Sequence, residues 1–271
     1  MLRRIAALLA GASTAVLMVT GSAAASTGSA YYSADQAGYV ATGAKFKFAG
    51  GTVRLPDASH YARELGRVGV SIQLWDTATV FELRLSTCTD TSCQPGGSPV
   101  SEMYQAAFRE FSRSTGSLIC STTNGTCPGV PAAWTGNAAR FAPGDTVSMG
   151  IFYDPGSGFT DISVNNLDYD NLSPGAGLVF SQARIGAEFG TTPWSQVTYH
   201  APRSETWLLT FAQSARKAEI ATYSGHGSCL TSWWVHHKVR TTSDGTSGTR
   251  TEAQPHNLHN YGCDFAVYLE P

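Results

Sequence analysis

The side chains with the greatest chemical promise are carboxylates on strand-like stretches. Glu82 lies in Thr79-Val80-Phe81-Glu82-Leu83-Arg84-Leu85, where Phe81, Leu83 and Leu85 alternate with Val80, Glu82 and Arg84. Glu188 lies in Ala187-Glu188-Phe189. Two carboxyl groups held close together can share one proton, because like charges resist double ionisation. One then takes a proton from water while the other donates to a carbonyl or leaving-group oxygen, which suits amide hydrolysis or glycoside hydrolysis. Glu110 shares a strand face with Phe108 and is a candidate for binding substrate, or for a salt bridge to a neighbouring strand. Gln73, opposite Val70, Ile72 and Leu74, is an amide able to donate to an oxyanion, or an exposed sheet glutamine. For Glu82 the non-catalytic alternative is a solvated face with Arg84 or Arg109 as ion-pair partner.

Other chemistries are less well supported. His226, His236, His237, His256 and His259 cluster near the end, but their spacings are not those of a metal site, and no cofactor or metal is expected. No Gly-x-Ser-x-Gly elbow accompanies the serines. Trp233, Trp234 and Tyr261 suit either sugar stacking or an ordinary core.

The elements that must position these groups are strands. A period of two is a strand's period and not a helix's. Val68–Leu74 and Thr79–Leu85 pair as a hairpin around Asp76 and Thr77. Met103–Phe111 reads as a strand by its aromatic content, although Ala, Met and Glu also favour helix. Tyr39–Phe48 and Thr52–Leu55 read as two strands turned by Gly50-Gly51. Thr146–Tyr153 and Phe159–Asn165 form a second hairpin, followed by Gly177–Arg184, Ile185–Phe189, Thr206–Phe211 and Lys217–Tyr223. Trp233–Val239 and Asp264–Leu269 flank a Ser/Thr/Gly loop, Thr241–Thr251. The expected fold is all-β: a large two-sheet antiparallel β-sandwich of the jelly-roll or concanavalin-like kind, with a C-terminal disulfide-tied extension.

The first residues read as an export signal: Arg3 and Arg4, an apolar run from Ile5 to Thr20, and small residues at Ala23-Ala24-Ala25. The division expected is a signal peptide over 1–25, an N-terminal arm over 26–37, a β-sandwich over 38–223, and a C-terminal β extension of the same domain over 224–271. No later stretch approaches a membrane span. The formal charge of −2 and the 14% of charged residues leave no basic surface for nucleic acid. An even number of cysteines in an exported chain suggests disulfides. Proximity favours Cys88–Cys93, Cys120–Cys127 and Cys229–Cys263.

Several motifs, in order, resemble the glutamic peptidase family, the eqolisins. Asp35-Gln36-Ala37-Gly38-Tyr39 resembles the family's Asn-Trp-Ser/Ala-Gly opening, and Thr52-Val53-Arg54-Leu55-Pro56 its early strand ending in proline. Val68-Gly69-Val70 resembles Trp-Val-Gly-Ile, without the tryptophan, and Ala107-Phe108-Arg109-Glu110-Phe111 resembles Trp-Tyr-Glu-Trp. Pro143-Gly144-Asp145 is similar to the family's Gly-Asp turn, and Leu208-Leu209-Thr210-Phe211 to its Leu-Ala-Asn-Phe. Ala187-Glu188-Phe189 resembles the Ala-Glu-Trp that holds the catalytic glutamate, while Glu82 stands where the family has the glutamine of Leu-Gln-Thr-Gly. The resemblance implies a secreted, acid-acting endopeptidase that needs no cofactor, with Glu188 and Glu82 on a concave sheet and an extracellular protein or peptide as substrate. It also implies that restoring the amide, Glu82→Gln, preserves or raises activity. The competing expectation is a non-catalytic extracellular sandwich that binds glycan or protein.

Overall fold

The computed structural model describes residues 31–33, 36–55, 68–87, 103–135, 137–171, 176–189, 208–211, 219–222, 234–241, 249–259 and 264–269. Sixteen strands are found among them: β1 (Tyr31–Ser33), β2 (Gln36–Arg54), β3 (Val68–Trp75), β4 (Thr79–Ser86), β5 (Tyr104–Ser112), β6 (Leu118–Ser121), β7 (Arg140–Phe141), β8 (Thr146–Tyr153), β9 (Thr160–Val164), β10 (Leu167–Asn171), β11 (Phe180–Phe189), β12 (Leu208–Phe211), β13 (Glu219–Thr222), β14 (Trp234–Thr241), β15 (Thr249–His259) and β16 (Asp264–Leu269). A single helical turn, α1 (Ala132–Thr135), buries Trp134.

The part that carries the site has the order β2-β11-β3-β4-β5-β6, every neighbour antiparallel. The β3–β4 hairpin closes as its sequence predicts, with Asp76 N–H donating to the Thr79 carbonyl at 2.8 Å. Alternation then sorts the side chains. Val68, Val70, Ile72 and Leu74 of β3, Phe81, Leu83 and Leu85 of β4, Phe108 of β5 and Ile185 of β11 all enter one core. Strands β8, β9 and β10 supply its other wall through Val147, Met149, Ile151, Tyr153, Ile162, Val164 and Tyr169. Phe81 meets Phe180 at 4.9 Å and Phe108 at 5.6 Å between ring centroids, and reaches Tyr153 at 6.5 Å. Ring packing of this kind adds to the area term.

The two separate sheets expected from the sequence are instead one continuous, strongly curled sheet. Strand β2 makes it so. Its first half pairs with β11 and β14, and its second half with β8, β12 and β13. Gly50-Gly51 does not turn the chain; both lie inside this 19-residue strand. A methyl on Gly50 would lie 2.5 Å from the Phe48 ring and 2.9 Å from the Met149 carbonyl oxygen, so the glycine serves close approach rather than a turn.

Three further differences have local causes. Gly177–Arg184 and Ile185–Phe189 merge into the single strand β11. The sequence reading overlooks β10, because Leu167, Tyr169 and Asn171 give only a short alternation after a turn at Asn165, whose φ is 51°. It also overlooks β15, which starts within the Ser/Thr/Gly stretch and carries His256 and His259. Strands β14, β15 and β16 belong to the same sheet as the rest, and the only parallel pairing among the described strands is β1 with β14. Cys120 and Cys127 form the expected disulfide at the end of β6. Cys88, Cys93, Cys229 and Cys263, and with them the C-terminal staple, lie outside the described residues.

Candidate functional site

The apolar residues of β3, β4, β5 and β11 occupy one face, so their alternates share the other. Register fixes which of these stand side by side. One row across the sheet runs Arg184, Gln73, Glu82, Arg109, Ser121; the next runs Gly38, Gly186, Ser71, Arg84, Ala107; a third runs Gln36, Glu188, Gly69, Ser86, Gln105. Glu82 and Glu188, distant in sequence, therefore lie on the same face.

This face is buried, not solvated. Arg84 is 0% exposed, Glu188 1% and Glu82 3%. Charges this deep must be paired, and they are. Arg84 Nη1 donates to Glu188 Oε1 at 3.3 Å. Arg109 donates to Glu82 Oε2 through both Nε, at 2.7 Å, and Nη2. The same Nη2 lies 3.9 Å from Glu188 Oε1. One guanidinium, that of Arg109, thus reaches both carboxylates.

Gln73 extends the network. Its Nε2 donates to Glu82 Oε1 at 2.7 Å, and its Oε1 accepts from Trp75 Nε1 at 2.8 Å. Both ends of the amide are engaged with neighbours, so Gln73 braces Glu82 rather than standing exposed. Arg184 lies over the Trp75 ring at 3.8 Å and Arg109 over Phe111 at 4.7 Å.

Glu110 is not part of this site. It does share its face with Phe108, but that face is the core side, where Glu110 stands in register with Phe81 and Cys120. Burial pushes its carboxyl above the ordinary range. Tyr169 on the opposing wall is pushed up to about 12, by burial first and by the charge of Glu110 second. Asp161 is raised too, by burial and then by Asp170 and Asp168.

These shifts have a definite sign. A carboxyl with a raised folded-state pKa favours folding most at pH below its unfolded value, and that contribution is lost as pH rises through the folded value. Glu110→Gln is accordingly expected to raise the melting temperature at neutral pH, where an ionised Glu110 is costly, and to leave it unchanged in strong acid, where the carboxyl is already neutral. Paired melting curves across pH check this; a gain of equal size at every pH would exclude Glu110 as the cause.

Among the described residues no group of three or more His, Cys, Asp or Glu is placed to hold a metal ion. No described helix is long and apolar enough to cross a membrane. His236 and His237 lie on β14, and His226, Trp233 and Tyr261 fall outside the described residues.

The ion pairs alter the expectation for Glu82→Gln. The substitution keeps length but removes the charge that holds buried Arg109. It is expected to cost about 1.5–3 kcal/mol of stability, the worth of a hydrogen bond to a charged group. Denaturant unfolding measures this, and a variant as stable as wild type would show that the pair contributes nothing.

No protein-family model and no curated protein matches this chain. Among solved structures it is similar to Scytalido-glutamic peptidase with a peptide-based transition-state analog, at a TM-score of 0.53 and 8% identity over 87% of this chain and 98% of that one. A second structure of that peptidase, with a transition-state analog inhibitor, gives a TM-score of 0.50 and 11% identity over the same shares. The likeness is one of fold, distant in sequence, and agrees with the resemblance drawn from the motifs.

Proposed function

We propose that the chain is an exported, acid-acting endopeptidase of the glutamic type, in which Glu188 activates the water that attacks a peptide carbonyl. The observation that carries this reading is a buried glutamate on a polar sheet face, in a fold shared with a glutamic peptidase. Arg84 Nη1 at 3.3 Å and Arg109 Nη2 at 3.9 Å both approach Glu188 Oε1. The Glu188 carboxylate takes one proton from the water as the water oxygen bonds to the carbonyl carbon. That proton passes to the leaving nitrogen, the C–N bond breaks, and an acid and an amine are released. Arg84 and Arg109 orient the carboxylate. Glu82 is a positioning residue that fixes Arg109 and is itself braced by Gln73. The raised carboxyls of Glu110 and Asp161 favour a protein that works in acid. Export is supported by the N-terminal residues and the even number of cysteines, and an extracellular protein substrate by the likeness to a peptidase.

A second reading is supported by the completeness of the charge pairing. Two carboxylates held by two arginines form a self-compensated network that suits a non-catalytic extracellular sandwich binding glycan or protein. The deciding experiment incubates the purified chain with a denatured protein from about pH 2 to about pH 7. New amino termini appearing in acid support the peptidase; none at any pH selects the binding module.

A further inference from the structure

The proposed reaction requires a donor for the carbonyl oxygen as it becomes negative. Gln73 and Glu82, the two positions from which the sequence suggests an amide, are occupied with each other and with Trp75 and Arg109. Another amide stands closer to Glu188. Gln36 on β2 is the direct cross-strand partner of Glu188 on β11, and direct partners in an antiparallel pair point to the same face. Their Cβ atoms are then about 5 Å apart, a separation that a glutamine side chain spans. Gln36 is half-buried, unlike the fully buried Glu188, so it stands nearer to solvent than its partner.

The surrounding residues favour that approach. One step along the strands the same pairing joins Gly38 to Gly186, and across β11 Glu188 faces Gly69. A methyl on Gly38 would lie 2.2 Å from the Ile185 carbonyl oxygen and 2.5 Å from Gly186 Cα. Only glycine permits β2 and β11 to run this close, immediately beside the Gln36–Glu188 pair. The three glycines also leave the floor next to the pair without side chains, and glycine inside a strand often marks where another backbone comes near.

We infer that Gln36 is the oxyanion donor of this chain. Its side-chain N–H groups meet the carbonyl oxygen while Glu188 takes the proton from water, so the amide comes from β2 rather than from β3 or β4. The inference rests on the peptidase reading above.

The test compares wild type with Gln36→Leu, Gln36→Asn, Gln36→Glu and Glu188→Gln on a peptide substrate, with melting curves to confirm folding. Gln36→Leu is expected to lower kcat by about 10²–10³-fold with KM little changed, as for loss of an oxyanion-hole donor. Gln36→Asn keeps the amide but shortens its reach, and is expected to lose nearly as much. Gln36→Glu places a second carboxylate beside Glu188 and is expected to move the acid limb of the pH profile upward. That shift follows from proximity alone, so a limb left in place would overturn the adjacency on which the role rests, while the kcat of Gln36→Leu and Gln36→Asn decides the role itself. Near-wild-type kcat in folded Gln36→Leu and Gln36→Asn, with Glu188→Gln inactive, overturns the role of Gln36 and leaves the peptidase reading intact. A wild type inert at every pH overturns both.

Discussion

Glu188→Gln is expected to remove peptide hydrolysis, lowering kcat/KM by about 10²–10⁴-fold, the range for loss of a general base. The substitution preserves shape and length and alters only the ability to take a proton. Glu188 also compensates Arg84, which has no exposed surface, so some stability is lost as well. The experiment therefore has two readouts. Melting curves give the fraction folded at the assay temperature, and the rate is taken per folded molecule. A folded Glu188→Gln protein that cleaves at the wild-type rate would remove Glu188 from the mechanism. Glu82→Gln serves as the contrast. Its amide can still accept from the Arg109 guanidinium, so its activity should fall less than that of Glu188→Gln although its stability also drops. Equal losses in the two variants would point to general collapse of the ion-pair network rather than to loss of a base.

The sequence revealed the strands more fully than it revealed the partnerships between them. Alternation in Val68–Leu74 and Thr79–Leu85 identified β3 and β4, and it already placed Glu82 and Arg84 on one face. The sequence offers Arg109 as a partner of Glu82, and it is one. The pairing of Arg84 with Glu188 was not legible, because it joins residues 104 apart and depends on the registers of both β4 and β11 against β3. No local pattern encodes two registers at once. Depth was hidden for a similar reason. A polar residue alternating with apolar ones normally faces water, yet Gln73, Glu82 and Arg84 are buried, which is a property of the assembled chain. Glu110 shows the converse: the face it shares with Phe108 suggests a cleft, but that face, in register with Phe81, is the core side. Gly50-Gly51 was ambiguous in itself, since the same two residues suit a turn and a close crossing of strands.

The buried network makes a second strong expectation, concerning stability. Arg84→Met retains much of the apolar stem and removes the guanidinium that pairs with the buried Glu188 carboxylate at 3.3 Å. Removing one partner of a buried ion pair costs about 3–5 kcal/mol, because the other charge is stranded in a poorly polarisable setting. The double variant Arg84→Met/Glu188→Leu removes both charges. Apolar replacement of a whole buried pair is often neutral or stabilising, so the double variant should unfold at higher denaturant than Arg84→Met alone. The double-mutant cycle then gives a coupling between the two sites of about 0.5–3 kcal/mol. If Arg84→Met unfolds within about 1 kcal/mol of wild type, the 3.3 Å contact is not holding β4 to β11, and the orientation of Glu188 must be sought in its other neighbours. If instead the double variant recovers stability and hydrolysis is lost, the pair is shown to be kept for the reaction at the expense of the fold.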